Sequence, residues 1–502
     1  MRTSIRRRSG PAVAATHSGR RMIQGCAGVI VFLLAFAAPL HAQLPATPEA
    51  RAAAVERGLQ PPILVEGRDT GLSSITDRMA ELGVPAVSVA VIHDGRIDWA
   101  RAWGLADVET GREATPETLF QAASMSKPLA ALLALVLADE GVVSIDADVN
   151  ESLRSWKVPA NEFTAKQPVT LRGLLSHTAG VTVHGFPGYA PGTEIPTPVQ
   201  VLEAEPPTNT APIRVDTEPG TLWRYSGGGY TIAQQMLEDV TGVPYATLLQ
   251  QRVLEPLGMS SSTSEQPLPA RLHERAATAY RSNGSAVRGR FHTYPEMAAA
   301  GLWTTPSDYA RFALAIQRSL RGEAGTILKR ETAEDMLTHI MGSYGIGVAV
   351  AGAGDSLRFS HGGANAGYRS NFVAFARSGA GIVVMTNSDN GAPLAQEIIL
   401  AAARVYGWPG IAHQVITPIA LAPATLDEYT GTYHVADVEL TVTRDGDRLM
   451  LAQDDGEPLE LVPTATDTFV YLGGGITVEF ERDERGEVVA LLAVNTRAER
   501  AR

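Results

Sequence analysis

Thiol and disulfide chemistry has almost no material here: the 502 residues contain one cysteine, Cys26. Cys26 lies inside a segment patterned like a signal peptide and ahead of most of its hydrophobic run, the wrong place for a lipidated cysteine. The exported chain is therefore expected to hold no disulfide and no reactive thiol. A long hydrophobic run is also missing. The apolar stretch 27–38 falls short of the roughly 20 residues that a bilayer span needs. Residues 1–42 contain six arginines and no acid, and Ala42 offers a small residue for cleavage, so 1–42 reads as a signal peptide and the protein as periplasmic or secreted. Positive charge is scarce: 42 Lys and Arg face 54 Asp and Glu, for a net charge of −12, and loss of the arginine-rich segment makes the remainder more acidic still. Such a chain is a poor partner for nucleic acid. Gly-x-Ser-x-Gly, His-Glu-x-x-His and the phosphate-binding P-loop are all absent. No Ser-His-Asp hydrolase, zinc protease or nucleotide enzyme of those types is expected, and no cofactor or metal is called for.

The chain does have 45% hydrophobic residues, enough for sizeable cores, and shows no repeat of 20–50 residues. After the signal segment, residues 43–69 are Ala/Pro-rich and read as a flexible lead-in. Residues 70–415 mix helical and strand patterns, and 421–502 alternate in short strands. From Thr70, the residues Leu72, Ile75, Met79 and Leu82 recur at helical spacing. Stretch 85–92 is β-rich, and Asp94-Gly95 supplies a tight turn into 97–103, which predicts a hairpin. Gly301-Leu-Trp303-Thr-Thr-Pro306-Ser307-Asp308 reads as the cap of a helix beginning near Tyr309, with Pro306 or Ser307 at its boundary. Strands are expected over 344–350, 370–375 and 381–386. Turns at Asp445-Gly446, Asp455-Gly456 and Arg485-Gly486 space the last region as a small antiparallel barrel.

Three short stretches carry chemistry. Ser124-Met-Ser-Lys127 opens the apolar run 129–137, and residues i and i+3 of a helix share a face about 4.5 Å apart along the axis. A serine hydroxyl is a weak nucleophile until a base takes its proton, which a desolvated amine can do. Amide N–H groups at a helix start also favour a developing anion. Taken alone, this spacing equally fits an ordinary serine followed by a solvated lysine. In Tyr225-Ser-Gly227-Gly-Gly, the glycines let backbone approach a ligand and the phenol offers a second acid or base; a buried core aromatic is the plainer reading. In His361-Gly362-Gly363-Ala364, a glycine pair at a strand edge lets an N–H face a substrate carbonyl. His361 is placed to orient or protonate that substrate, unless it merely closes a loop.

In this order the three stretches resemble the signature motifs of the serine β-lactamase and penicillin-binding-protein superfamily. Closest in pattern are the class C β-lactamase-related hydrolases, a group with D-aminopeptidases, DD-peptidases and family VIII esterases. Leu174-Leu-Ser-His-Thr178, Glu255-Pro-Leu-Gly-Met259 and the 301–308 stretch extend the likeness across roughly 70–410. The resemblance implies an α/β (α+β) fold: an antiparallel sheet flanked by helices, an inserted helical cluster, and Ser124 at the bottom of the cleft between them. It implies an acyl-enzyme on Ser124, proton transfer through Lys127 and Tyr225, and an oxyanion hole from the N–H groups of Ser124 and Ala364, with Gly227, Gly362 and Gly363 lining the site. It also implies that 421–502 is lipocalin-like. Two residues depart from the antibiotic-hydrolysing pattern. Gly227 stands where an asparagine usually holds the acylamino group. His361, mostly neutral near pH 7 at an unperturbed pKa of about 6.5, replaces a permanent lysine cation. An esterase or small-amide hydrolase acting on a small molecule or peptide, near the cell wall or membrane, is expected before a β-lactamase or DD-peptidase. A penicillin-binding or cell-wall sensor protein that acylates without turnover is the rival; the acyl preference and oligomeric state stay open.

Overall fold

Continuously apolar strands form the centre of the molecule. The computed structural model describes residues 44–501 apart from Asp437, Asp455 and Asn495; the stretch 1–42 expected to be a signal peptide, with Cys26, and the Asp455 half of one expected turn lie outside the described residues. Seven strands make one antiparallel sheet: β1 (Ala86–His93), β2 (Arg96–Asp107), β3 (Arg112–Glu113), β4 (Ala349–Ala351), β5 (Arg358–Asn365), β6 (Tyr368–Phe375) and β7 (Gly381–Thr386). Their spatial order is β3-β2-β1-β7-β6-β5-β4. The expected hairpin is β1–β2, and strands from the early and late parts of the sheet's sequence meet where β1 pairs with β7, Val89 opposite Val384. Both central strands are buried on both faces, hence their nearly unbroken apolar sequence.

Six longer helices accompany the sheet: α1 (Pro48–Glu56), α2 (Ile75–Leu82), α3 (Ser126–Asp139), α4 (Gly227–Thr241), α5 (Pro306–Leu320) and α6 (Gly391–Tyr406). Strand side chains alternate between faces. Val87, Val89, Val91, Ile382 and Val384 join Val55, Met79, Leu394 and Ile398 of α1, α2 and α6 in one core. Ala90, Ile92, Val383 and Met385 join Leu133 of α3 and Phe312 of α5 in the other. Helix α3 is buried almost all round, as its apolar run requires. With α4, the short helices Val149–Ser152, Leu171–Leu175, Pro198–Glu203 and Tyr245–Leu249 form the inserted cluster, so the implied sheet-and-cluster architecture is present.

Several expectations need correction. The stretch read as a flexible lead-in contains α1, capped by Thr47 with Pro48 at its first position. Its alanines favour helix, and Ala52 and Val55 are fully buried. Arg51 anchors it with two bonds to Asp98, 2.7 and 2.6 Å, and the Tyr406 hydroxyl donates to the same carboxylate. Leu72 lies outside α2, 61% exposed, because a Ser74/Asp77 capping box starts the helix later. Helix α5 starts at Pro306, three residues ahead of Tyr309, and its N-cap is Thr305 in place of Pro306 or Ser307, since Thr305 accepts from the Asp308 N–H. Of 344–350, only the end joins a strand. Among the described residues no helix is long and apolar enough to cross a membrane.

Eight strands, from Gly431–Val435 to Thr496–Arg500, close a C-terminal barrel in which Tyr433 lies opposite Arg500. Leu449, Leu461, Phe469, Phe480 and Leu491 fill it, joined by Leu426 and Tyr429 of the preceding helix Pro423–Tyr429. Val462 and Val470 on its wall pack against Ile63, Val65 and Ile416, and Arg68 reaches Glu460 at 2.7 Å.

Candidate active site

Ser124 sits in a tight 3₁₀ turn, Ala123–Met125, leading directly into α3. Ala123 is held at a φ of +52°, a conformation that disfavours any side chain. Its surroundings enforce it. The Ala122 N–H donates to Leu302 O, Ser126 Oγ donates to Ala123 O and accepts the Leu302 N–H, the Ser370 hydroxyl donates to Ala122 O, and the Tyr309 hydroxyl donates to Met125 O. Lys127, one turn on and 2% exposed, places Nζ 3.1 Å from Ser124 Oγ and 2.9 Å from Ala299 O. Ala299 belongs to the four-residue helix Met297–Ala300, whose terminal carbonyls have no partner within the helix.

Tyr225 precedes α4, whose N-cap is Ser226: its Oγ accepts the Gly229 N–H and donates to Thr182 O. The Tyr225 ring lies under the lysine amine, Nζ 4.9 Å from the ring centre, and Tyr230 lies 5.5 Å away on the same amine. His177, which motif reading treated only as part of a familiar segment, fixes this tyrosine. Its carbonyl accepts the Arg224 N–H, its Nδ1 accepts the Ser226 N–H at 3.1 Å, and its ring lies 4.2 Å from that of Tyr225. Burial, with the Lys127 charge, holds the His177 pKa well below its usual value. The ring is therefore neutral, and because Nδ1 accepts, Nε2 carries the proton.

Strand β5 brings in the third motif. His361 Nδ1 lies 2.6 Å from Gly362 O and donates to it, leaving Nε2 as a buried acceptor without a partner among the described residues. Burial first and the Lys127 charge second lower its pKa to about 3. At neutral pH the ring is uncharged and has no second proton to give, which removes the protonating role and leaves the orienting one. Gly363 is required sterically: a Cβ there would stand 2.2 Å from Ala122 O. Gly227 is tightly placed as well: a Cβ there would stand 2.9 Å from the end of the half-buried Phe186 ring and 3.1 Å from His184 O, so both would have to shift. Where the resemblance leads one to look for an asparagine amide, this chain has a phenylalanine edge.

These groups border a cavity of about 640 Å³. Ser124, Tyr225, His361, Gly362, Gly363 and Ala364 all line it, so six of the eight expected site residues share one surface. Lys127 lies beneath the serine and Gly227 behind the tyrosine. His184 and Trp223 add an aromatic wall, while Arg369, Asn371, Ala392 and Ala395 extend the cavity across β6 to α6. None of these six was singled out from the sequence. For Arg369 and Asn371 a signal was present, since two polar residues at i and i+2 on a strand share a face. Among the described residues no three His, Cys, Asp or Glu side chains gather as metal ligands.

The family model described as Beta-lactamase matches residues 73–406, and one described as a domain of unknown function (DUF3471) matches 417–499. A D-aminopeptidase from Brucella anthropi is 24% identical over 409 residues, 74% of each chain. Esterase EstB from Burkholderia gladioli is 32% identical over 185 residues, 35% of this chain and 46% of the esterase, so less than half of that relative is spanned. The octameric penicillin-binding protein homologue from Pyrococcus abyssi shares the fold with a TM-score of 0.59 at 23% identity, over 84% of this chain and 98% of its own.

Proposed function

The chain belongs to the beta-lactamase family of serine hydrolases, and from that premise we propose that it cleaves an ester or small amide through an acyl-enzyme on Ser124. The observation that carries this reading is the 3.1 Å separation of Lys127 Nζ and Ser124 Oγ at the floor of an open cavity. Ser124 Oγ attacks the substrate carbonyl while its proton passes to the Lys127/Tyr225 pair, and the carbonyl oxygen becomes an anion facing the N–H groups of Ser124 and Ala364. Collapse breaks the bond to the alcohol or amine, which leaves with that proton. Water then attacks the acyl carbon and regenerates the serine. Neutral His361 orients the site by accepting a hydrogen bond at Nε2. Relatives named D-aminopeptidase and esterase support this substrate range. The Phe186 edge at Gly227 favours esters and small amides over β-lactams or peptides, whose acylamino group has no amide to meet there.

The test is covalent labelling with a fluorophosphonate followed by peptide mass spectrometry. The wild type should carry the adduct on Ser124 and turn over p-nitrophenyl esters faster than nitrocefin, while Ser124→Ala should do neither. Labelling of another residue, or persistent turnover by the variant, overturns the assignment. A burst of p-nitrophenol without steady-state release identifies a protein that acylates without turnover. The arginine-rich segment 1–42 supports export to the periplasm or beyond, which N-terminal sequencing of the fractionated protein checks.

A further inference from the structure

Besides Ser124, the Lys127 amine bonds only Ala299 O among the described residues, at 2.9 Å. A neutral amine turns freely about its last C–N bond, and its electron pair stays toward Ser124 Oγ only while an N–H is held by an acceptor fixed in space. The position of Ala299 O therefore sets how well the base is aimed. Ala299 lies in the single helical turn Met297–Ala300, which is too short to be stable by itself and has three alanines too small to anchor it.

Side-chain amides from elsewhere in the fold do the anchoring. Gln234 of α4 is fully buried; its Nε2 donates to Pro295 O at 3.2 Å and its Oε1 accepts the Ala298 N–H at 3.0 Å. The orientation of this amide is forced, since the carbonyl on one side needs a donor and the N–H on the other needs an acceptor. Gln266 and Asn365 hold the ends of the same stretch. Gln266 accepts the Tyr294 N–H at 3.1 Å and donates to Gly301 O at 2.7 Å, and Asn365 Nδ2 donates to Ala300 O at 3.1 Å. Gln234 reaches inside it, at the residue before Ala299. It stands four residues after Tyr230, hence on the same face of α4, and the Tyr230 ring centre lies 5.5 Å from the Lys127 amine. The helix that Tyr225 leads into thus also fixes the acceptor of Lys127. The neighbouring Gln235 faces elsewhere, donating to Ser155 Oγ and Asp239 Oδ1, both at 3.1 Å.

We propose that Gln234 is a positioning residue for acyl transfer: its amide fixes the turn that carries Ala299 O and so keeps the Lys127 amine aimed at Ser124. This rests on the acyl-enzyme reading above, which is tested separately. Fluorophosphonate labelling that vanishes in Ser124→Ala and slows in Lys127→Ala upholds that reading whatever Gln234 does.

The experiment is a double-mutant cycle on the rate of fluorophosphonate labelling, followed from seconds to days, in Gln234→Met, Lys127→Ala and the double variant. Methionine matches glutamine in length but offers no donor to Pro295 O and no acceptor of comparable strength to the Ala298 N–H. Gln234→Met should label roughly 10- to 100-fold more slowly than the wild type, the effect of a base displaced by up to about an ångström, and kcat/KM for p-nitrophenyl butyrate should fall by a similar factor. With Lys127 absent there is nothing left to aim, so adding Gln234→Met to Lys127→Ala should change labelling by less than about twofold. Gln235→Met is the control. It removes a buried amide from the next position on α4, and should lower stability in urea unfolding while labelling at the wild-type rate. If Gln234→Met does not accumulate as folded protein, Gln234→Asn, one methylene shorter and unable to span both groups, takes its place in every arm with the same pattern expected. Equal slowing by the Gln234 variant with and without Lys127, slowing of the same size in Gln235→Met, or labelling at the wild-type rate by the Gln234 variant would each overturn the positioning role.

Discussion

The cleft around Ser124 and the C-terminal barrel show two different ways of burying polar groups. In the cleft, His177 Nε2, His361 Nε2 and the Tyr344 hydroxyl are buried without partners, and Ala123 and His177 are held at φ of +52° and +64°. In the barrel, no buried side-chain polar atom of the described residues is unpartnered. There the Tyr429 hydroxyl donates to Asp467 at 2.9 Å and the Tyr433 hydroxyl to Tyr429 O at 2.7 Å; positive φ angles fall in the turns, as at Asp467. An unmet buried polar group costs about 1–3 kcal/mol, and a strained backbone residue costs a similar amount. Of the three, His361 lines the cavity and so has an acceptor open to a substrate, whereas the barrel satisfies its polar groups internally.

The sharpest way to break this contrast is to remove the groups the cleft presents. Lys127→Ala and Tyr225→Phe should each lower acylation by roughly 10²–10⁴-fold and combine less than additively, as groups sharing one proton-transfer step do. Stopped-flow acylation of a p-nitrophenyl ester measures this. Losses that simply multiply would mean that the amine over the tyrosine ring is a packing contact and that the cleft is less of a unit than its geometry suggests. In the barrel the expectation reverses. Phe469→Ala empties space against Tyr429 and Phe480, whose ring centres lie 5.0 and 5.4 Å from that of Phe469. It should cost about 3–5 kcal/mol in urea unfolding, while the folded fraction keeps its kcat. A fall in kcat with intact folding would instead tie the barrel to catalysis through the Arg68–Glu460 contact.

How much of this was legible in the sequence follows the range of the interactions involved. The β1–β2 hairpin, the apolar α3 and the Ser124/Lys127 pair rest on neighbours a few residues apart, so periodicity and spacing reveal them. The anchoring of α1 depends on Arg51 finding Asp98, 47 residues away, and nothing local distinguishes that arginine from a solvated one. Likewise, His177 holds the backbone on both sides of Tyr225 across 49 residues, and Phe186 explains Gly227 only once the two segments are folded together. The three motifs located the site. Its far wall at Arg369 and Asn371 was hidden because the β5–β6 register, not any motif, sets that strand beside the third motif.

The last and smallest effect concerns pH. His361 is folded with a pKa near 3, while in the unfolded chain it titrates at about 6.5. Between these values the unfolded state binds a proton that the folded state refuses, so stability rises with pH across this window. Above about pH 6.5 both states are neutral at this position and the dependence ends. The maximum slope from one such group is about 1.4 kcal/mol per pH unit. His177, its pKa lowered by burial and then by the Lys127 charge, contributes in the same direction. Other titrating groups add their own slopes, so the informative quantity is the difference between wild type and His361→Gln, which keeps a side chain able to hydrogen-bond but cannot titrate. Urea unfolding at intervals from about pH 4 to pH 7 should give a flatter curve for the variant, by about 1 kcal/mol per pH unit between pH 4 and 6. The barrel variant Phe469→Leu should shift the curve downward without changing its slope, since it alters packing and no proton. If His361→Gln ran parallel to the wild type, the imidazole would be charging freely in the folded state. The neutral acceptor assigned to it in the cleft would then be wrong.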